Sequence, residues 1–79
     1  MKIDYESYIP QSSKLVGKTV GEIEKRFKLK ISHMHRGAIV AETRFFPEVN
    51  TVLEAGMAIK IENVDSEKRA RFVREMDMP

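Results

Sequence analysis

His33 and His35 stand two residues apart and are the only histidines in the chain. If the segment around them is extended, both rings project from one face. Two imidazoles on one side begin a metal site. A structural or catalytic zinc needs at least a third protein ligand, which Glu42, Glu48 or the equivalent residue of a second copy would have to supply. The same pair has two other readings. One ring could pack in a dimer interface while the other meets water, or the pair could sense pH, because imidazole titrates near neutrality. Little else reads as catalytic. The chain has no cysteine, which excludes a thiolate nucleophile, a disulfide framework and a zinc knuckle. It has no glycine-rich phosphate loop. Ser12, Ser13, Ser32 and Ser66 have no nucleophile-elbow context. The sequence therefore reads as that of a non-enzymatic protein.

The elements that would carry these residues can be read from periodicity. Ile3, Tyr5 and Ser7 alternate with Lys2, Asp4, Glu6 and Tyr8, the pattern of a strand ended by Pro10. Thr19 and Glu22 have capping-box spacing. Val20, Ile23 and Phe27 behind them make one apolar face of a short helix. Gly21 weakens that helix unless another backbone approaches it closely. Leu29, Ile31, His33 and His35 are expected on one side of a second strand, with Lys30, Ser32, Met34 and Arg36 on the other. Gly37 suits a tight turn, after which Ala38 to Phe46 would return as the hairpin partner. Met57, Ile59 and Ile61 alternate with Ala58, Lys60 and Glu62 in a further strand. Asp65 or Ser66 then caps a helix with Arg69, Phe72, Val73 and Met76 at helical spacing, and Asp77 to Pro79 is a tail.

The order strand, helix, strand, strand, strand, helix predicts an α+β fold, a small and mostly antiparallel sheet with two helices. Val20, Ile23, Phe27, Ile31, Ile59, Ile61, Phe72 and Val73 are the expected core or dimer interface. The 79 residues allow one domain, residues 1–79. A sheet this small has edges and a second face to protect, and pairing with a second copy does so. Fourteen basic and twelve acidic side chains leave a net charge of +2 on a well-mixed surface. A nucleic-acid-binding domain would show a larger, clustered excess. No apolar run is long enough to span a membrane, and the first residues do not form a signal peptide. The absence of disulfides favours the cytoplasm.

The run Ile9-Pro10-Gln11-Ser12-Ser13-Lys14-Leu15-Val16-Gly17-Lys18-Thr19-Val20-Gly21-Glu22-Ile23 resembles the opening of the TrkA carboxy-terminal domain, or RCK-C, family. The strand end His35-Arg36-Gly37 and the segment Pro47 to Gly56 resemble two further family motifs, in the family's order. Met57 stands where the family usually has aspartate. The resemblance implies a cytoplasmic, dimeric regulatory domain of a potassium or other cation transport system. It would act at the inner face of the membrane through a channel, transporter or antiporter subunit. Some relatives bind cyclic di-AMP at the dimer interface, and others respond to other nucleotides or divalent cations.

Relatives that bind cyclic di-AMP carry an acidic-x-Arg element at the end of the first helix, then an asparagine before the next strand. Glu24-Lys25-Arg26 resembles the first element, and Lys30 occupies the asparagine-like place. The resemblance thus marks Glu24, Arg26 and Lys30, and with His33, His35 and Arg36 of the next strand they make the candidate ligand-binding residues, His33 and His35 being also the candidate metal ligands. Arg26 and Lys30 could pair phosphate oxygens. They could equally be a solvated helix end, where cations suit the helix dipole. A ligand-free dimerisation or docking module of a membrane transport complex is the alternative function.

Overall fold

The computed structural model describes residues 1–36 and 44–79, with the backbone alone at Arg44 and Phe45. The elements are β1 (Lys2–Tyr8), α1 (Val20–Phe27), β2 (Ile31–Arg36), β3 (Arg44–Phe45), β4 (Met57–Asp65) and α2 (Ser66–Glu75). Their order matches the sequence pattern. The expected turn at Gly37 and most of the 38–46 return lie outside the described residues. Arg44 and Phe45 are its visible part, paired antiparallel with Met34 and His33.

The four strands lie in the order β1-β4-β2-β3, and every neighbouring pair is antiparallel. β4 is thus a central strand, with β1 on one side and β2 on the other. Both helices contribute to one core. Phe27 of α1 and Tyr5 of β1 each meet the ring of Phe72 in α2 edge-on, at 5.2 and 6.0 Å between centroids. Ile31, Met34, Ile59, Ile61 and Val64 complete the sheet's side of that cluster.

Two bulges set which side chains reach the core. Between Ile31 and His33 the register on β4 advances by only one residue, from Ile61 to Lys60, so β2 carries an extra residue there. The bulge changes the parity of β2. Ile31 and Met34 both enter the core, while His33 and His35 pass to the opposite face beside Lys60 and Ala58. The expectation that Ile31 and the histidines share a side is therefore corrected. The second bulge is on β4, where Tyr5 faces Ile61 but Ile3 faces Val64. Asn63 takes the left-handed conformation there, at φ 55°, and its N–H donates to Asp4 Oδ1 at 2.9 Å. Asparagine tolerates that backbone better than most residues.

Both helices begin as their sequences require. Thr19 Oγ1 accepts from the Glu22 N–H at 3.2 Å, and Asp65 Oδ1 accepts from the Glu67 N–H at 2.9 Å. Gly21 marks a close approach, because its N–H donates to the carbonyl oxygen of Val49 at 2.8 Å. The strip 17–21 lies antiparallel to 49–53, with Thr19 bridged to Val52. This packing buries Leu15 and Leu53 completely. The predicted tail is not free either. Met78 is buried, and the Ser13 hydroxyl donates to the Met76 carbonyl at 2.7 Å while accepting from the Leu15 N–H at 3.1 Å. Val73 is only partly buried, at the margin of the core.

Candidate functional site

The candidate residues cluster where α1 ends and β2 begins. Lys28 ends the helix in the left-handed conformation, at φ 54°, with its N–H bonded to the Glu24 carbonyl. The chain then turns into β2. Glu24 Oε2 fastens the turn by accepting from the Ile31 N–H at 3.0 Å. From α2, Lys68 Nζ donates to the Lys28 carbonyl at 2.8 Å, satisfying an oxygen that the helix leaves open. Glu24 and Lys68 are thus tied to backbone groups.

Arg26 and Lys30, paired in the sequence argument as phosphate ligands, meet different neighbours. Arg26 donates to Glu75 Oε1 at 2.8 Å, and its guanidinium lies 5.1 Å from the Phe27 ring centroid. Lys30 is exposed, with its ammonium 5.7 Å from the centre of the Phe46 ring. Glu24 and Lys30 border a cleft of 300 Å³ that also draws on Lys2, Lys28, Asp65 and Lys68. Arg26 borders a different cleft, of 490 Å³.

His33 and His35 share the sheet face opposite the core. His33 Nδ1 lies 2.9 Å from Ser32 Oγ and 3.4 Å from Glu62 Oε1, and Lys60 Nζ approaches the same Glu62 oxygen at 3.9 Å. The His35 ring meets Tyr8 edge-on at 6.4 Å. Ala58 lies buried between these two rings, since both Tyr8 and His35 pair with it in register. Among the described residues, no three His, Asp or Glu side chains gather to hold a metal ion. Glu42 lies outside the described residues, and Glu48 is exposed. Arg36, at the end of β2, pairs with Glu54.

Met57 explains what replaces the family's usual aspartate. Its side chain is buried in the core, and its sulfur accepts from the Glu54 N–H at 3.4 Å. The turn is here closed by a thioether.

Lys14, Lys18 and Glu75 were not singled out by the sequence argument, yet they line the larger cleft with Arg26. The chain brings them together from opposite ends through the bonds of Ser13 and Lys14 to the Met76 carbonyl. No local periodicity encodes that meeting. Glu75 takes the Arg71 Nε–H on Oε2 at 2.8 Å while Arg26 binds Oε1. The Arg71 hydrogen bond above all, with that of Arg26, holds the Glu75 carboxyl below the usual carboxylate range against a smaller desolvation effect. Elsewhere, burial pushes the Tyr5 phenol up, while its hydroxyl donates to the Pro79 carbonyl at 3.0 Å.

Comparison with known proteins places this geometry in context. The model of the TrkA-C domain family matches residues 5–61. Among solved structures, the chain resembles the RCK_C domain dimer of S. agalactiae BusR in complex with c-di-AMP. The identity is 21% and the TM-score 0.73, over 95% of this chain and 96% of that one. It also resembles S. agalactiae BusR in complex with its busAB-promotor DNA, at 20% identity and a TM-score of 0.73, over 96% of this chain. There it spans only 36% of the neighbour's length. No curated protein matches the sequence. Among the described residues, no helix is long and apolar enough to cross a membrane.

Proposed function

The chain belongs to the TrkA-C domain family, and on that premise we propose that it is the ligand-sensing regulatory domain of a potassium or other cation transport system. It binds a small molecule across a homodimer interface. The ligand class is a nucleotide, with cyclic di-AMP the first candidate and a divalent cation the less supported one. The observation that carries this proposal is the fold likeness, over nearly the whole chain, to a domain whose dimer was solved with c-di-AMP. Arg26, Lys30 and Arg36 are the exposed cations for phosphate oxygens, Glu24 fixes the turn between them, and His33 and His35 offer rings and polar nitrogens. No catalytic step is involved. The ligand acts through its differential affinity for two arrangements of the copies, and that bias passes to a membrane channel, transporter or antiporter subunit. The site of action is the cytoplasmic side of the membrane.

A second function, a ligand-free dimerisation or docking module, draws support from two observations. Glu24, Arg26 and Arg36 already have partners within the chain. Lys30 stands in the asparagine-like place. Thermal unfolding against cyclic di-AMP, ATP, NAD(H) and divalent cations separates the two. A ligand at about 100 times its dissociation constant adds about 2.7 kcal/mol. Each kcal/mol moves the midpoint of a domain this size by roughly 4–8 °C. A nucleotide-specific shift that Arg26→Ala abolishes, with the dimer intact, sustains sensing. A flat panel sustains the docking module. Binding only to nucleic acid, falling steeply with salt, defeats both.

A further inference from the structure

Beyond the bulge at Ser32, His33 and His35 alternate with Met34, which enters the core. Both rings therefore stand on the opposite face of the sheet, partly exposed. Along an extended chain their Cα atoms are roughly 6.6 Å apart. Two nitrogens bound to one tetrahedral ion at about 2.0–2.1 Å are about 3.3 Å from each other. Two imidazoles reach that separation by leaning together over the backbone of Met34.

The surroundings of His33 decide which of its nitrogens can bind. Nδ1 lies 2.9 Å from Ser32 Oγ and 3.4 Å from Glu62 Oε1. The Ser32 hydroxyl directs its single hydrogen to the Lys60 carbonyl, at 3.2 Å, and a carboxylate only accepts. Both neighbours of Nδ1 are thus acceptors, so Nδ1 carries the ring proton. In the neutral ring Nε2 then holds the lone pair. A carboxylate on one ring nitrogen, with the lone pair on the other, is the usual second shell of a metal-bound histidine. It fixes the tautomer and makes the ligand nitrogen more basic. Lys60, the register partner of His33, has its ammonium 3.9 Å from the same carboxylate oxygen. The register partner of His35 is Ala58, which brings no charge.

We infer that His33 and His35 form a two-histidine chelate for a divalent transition-metal ion of the zinc or nickel class, on the sheet face opposite the core. His33 binds through Nε2, Glu62 orients that ring, and water fills the remaining positions. With two protein ligands the site exchanges its ion readily, unlike a closed structural zinc site. Imidazole selects against magnesium and calcium, which prefer oxygen ligands. The site lies within one protomer and does not rest on nucleotide sensing.

The test follows the ring-nitrogen resonances of isotope-labelled histidine in the chain, first stripped of metal with a chelator, in mildly alkaline solution. The two histidines are the only ones in the chain, so each ring can be assigned from a single variant. Before any metal is added, His33 is expected as the Nδ1–H tautomer. Zinc chloride should then shift His33 Nε2 and one ring nitrogen of His35 together, while magnesium chloride moves neither. His33→Ala should weaken zinc at least ten-fold, and so should His35→Phe, which keeps a ring against Tyr8. Glu62→Ala, at an exposed position, should weaken it about ten-fold. Rings unshifted at millimolar zinc, the Nε2–H tautomer at His33, or an affinity indifferent to these substitutions would overturn the site. Cyclic di-AMP is titrated into the same metal-free chain, so nucleotide sensing is judged apart from zinc.

Discussion

Replacing Gly21 by alanine sets two effects of known sign against each other. Gly21 is the second residue of α1, and inside a helix alanine is favoured over glycine by about 1 kcal/mol. Local propensity alone therefore predicts a more stable protein. The structure predicts the reverse. A Cβ on Gly21 would lie 3.0 Å from both the Cβ and the carbonyl oxygen of Val49. That carbonyl accepts the Gly21 N–H at 2.8 Å, so the 49–53 strip cannot recede without stretching the bond. Forcing an extra methyl into a close contact costs about 1–3 kcal/mol, and a weakened hydrogen bond adds about 1 kcal/mol. After the helix gain is subtracted, Gly21→Ala should destabilise by about 1–3 kcal/mol and lower the thermal midpoint by several degrees. Urea unfolding followed by circular dichroism measures this directly. A variant as stable as its parent, or more so, would show that the strip yields freely and that the close approach does not hold the helix start.

Lys28→Gly should act the other way. A left-handed residue other than glycine costs about 1–2 kcal/mol, and Lys28 bears that cost at the end of α1. Its relief should raise the urea midpoint, since the carbonyl used by Lys68 is retained. In acid, two carboxylates should set part of the unfolding curve. The Glu67 N–H, chiefly, holds Asp65 below its ordinary range, and Arg71, chiefly, does the same for Glu75. A carboxyl depressed in the folded state stabilises fully above its unfolded pKa, and that contribution is lost as pH falls through the folded one. Stability should therefore decline as the solution is acidified through and below the carboxylate range. The Asp65→Asn, Glu75→Gln double variant should show a shallower decline by urea titration, and a decline of equal slope would count against both assignments.

Much of this architecture is legible in the sequence because the signals are local. Thr19 and Glu22 announce a helix start, and period two announces β1 and β4. The order of elements follows from reading these in turn. What the sequence hides is decided by partners distant along the chain. The bulge at Ser32 exists because β2 must match β4, so no feature of Ile31 to Arg36 alone could move the histidines off the side of Ile31. Leu15 and Leu53 lie in irregular segments, where burial has no period to reveal it. The candidate ligand residues Glu24, Arg26 and Lys30 gather at the α1–β2 turn, as their closeness in the sequence requires. Arg26 and Lys30 nevertheless diverge, because one is drawn to Glu75 and the other toward Phe46.

The position of β4 also constrains how the molecule comes into being. In the sheet order β1-β4-β2-β3, β1 pairs with β4 alone among the described residues, and Lys2 faces Asp65, more than sixty residues further on. During synthesis, β1 must wait for this partner until residues 57–65 have left the ribosome. Closing such a distant pairing carries a loop-entropy cost before any contact rewards it. The first helix and the β2–β3 pairing can form early, but the sheet waits for its middle. Until then, the alternating charges of Lys2, Asp4 and Glu6 help keep an unpaired strand from joining its counterpart on another nascent chain.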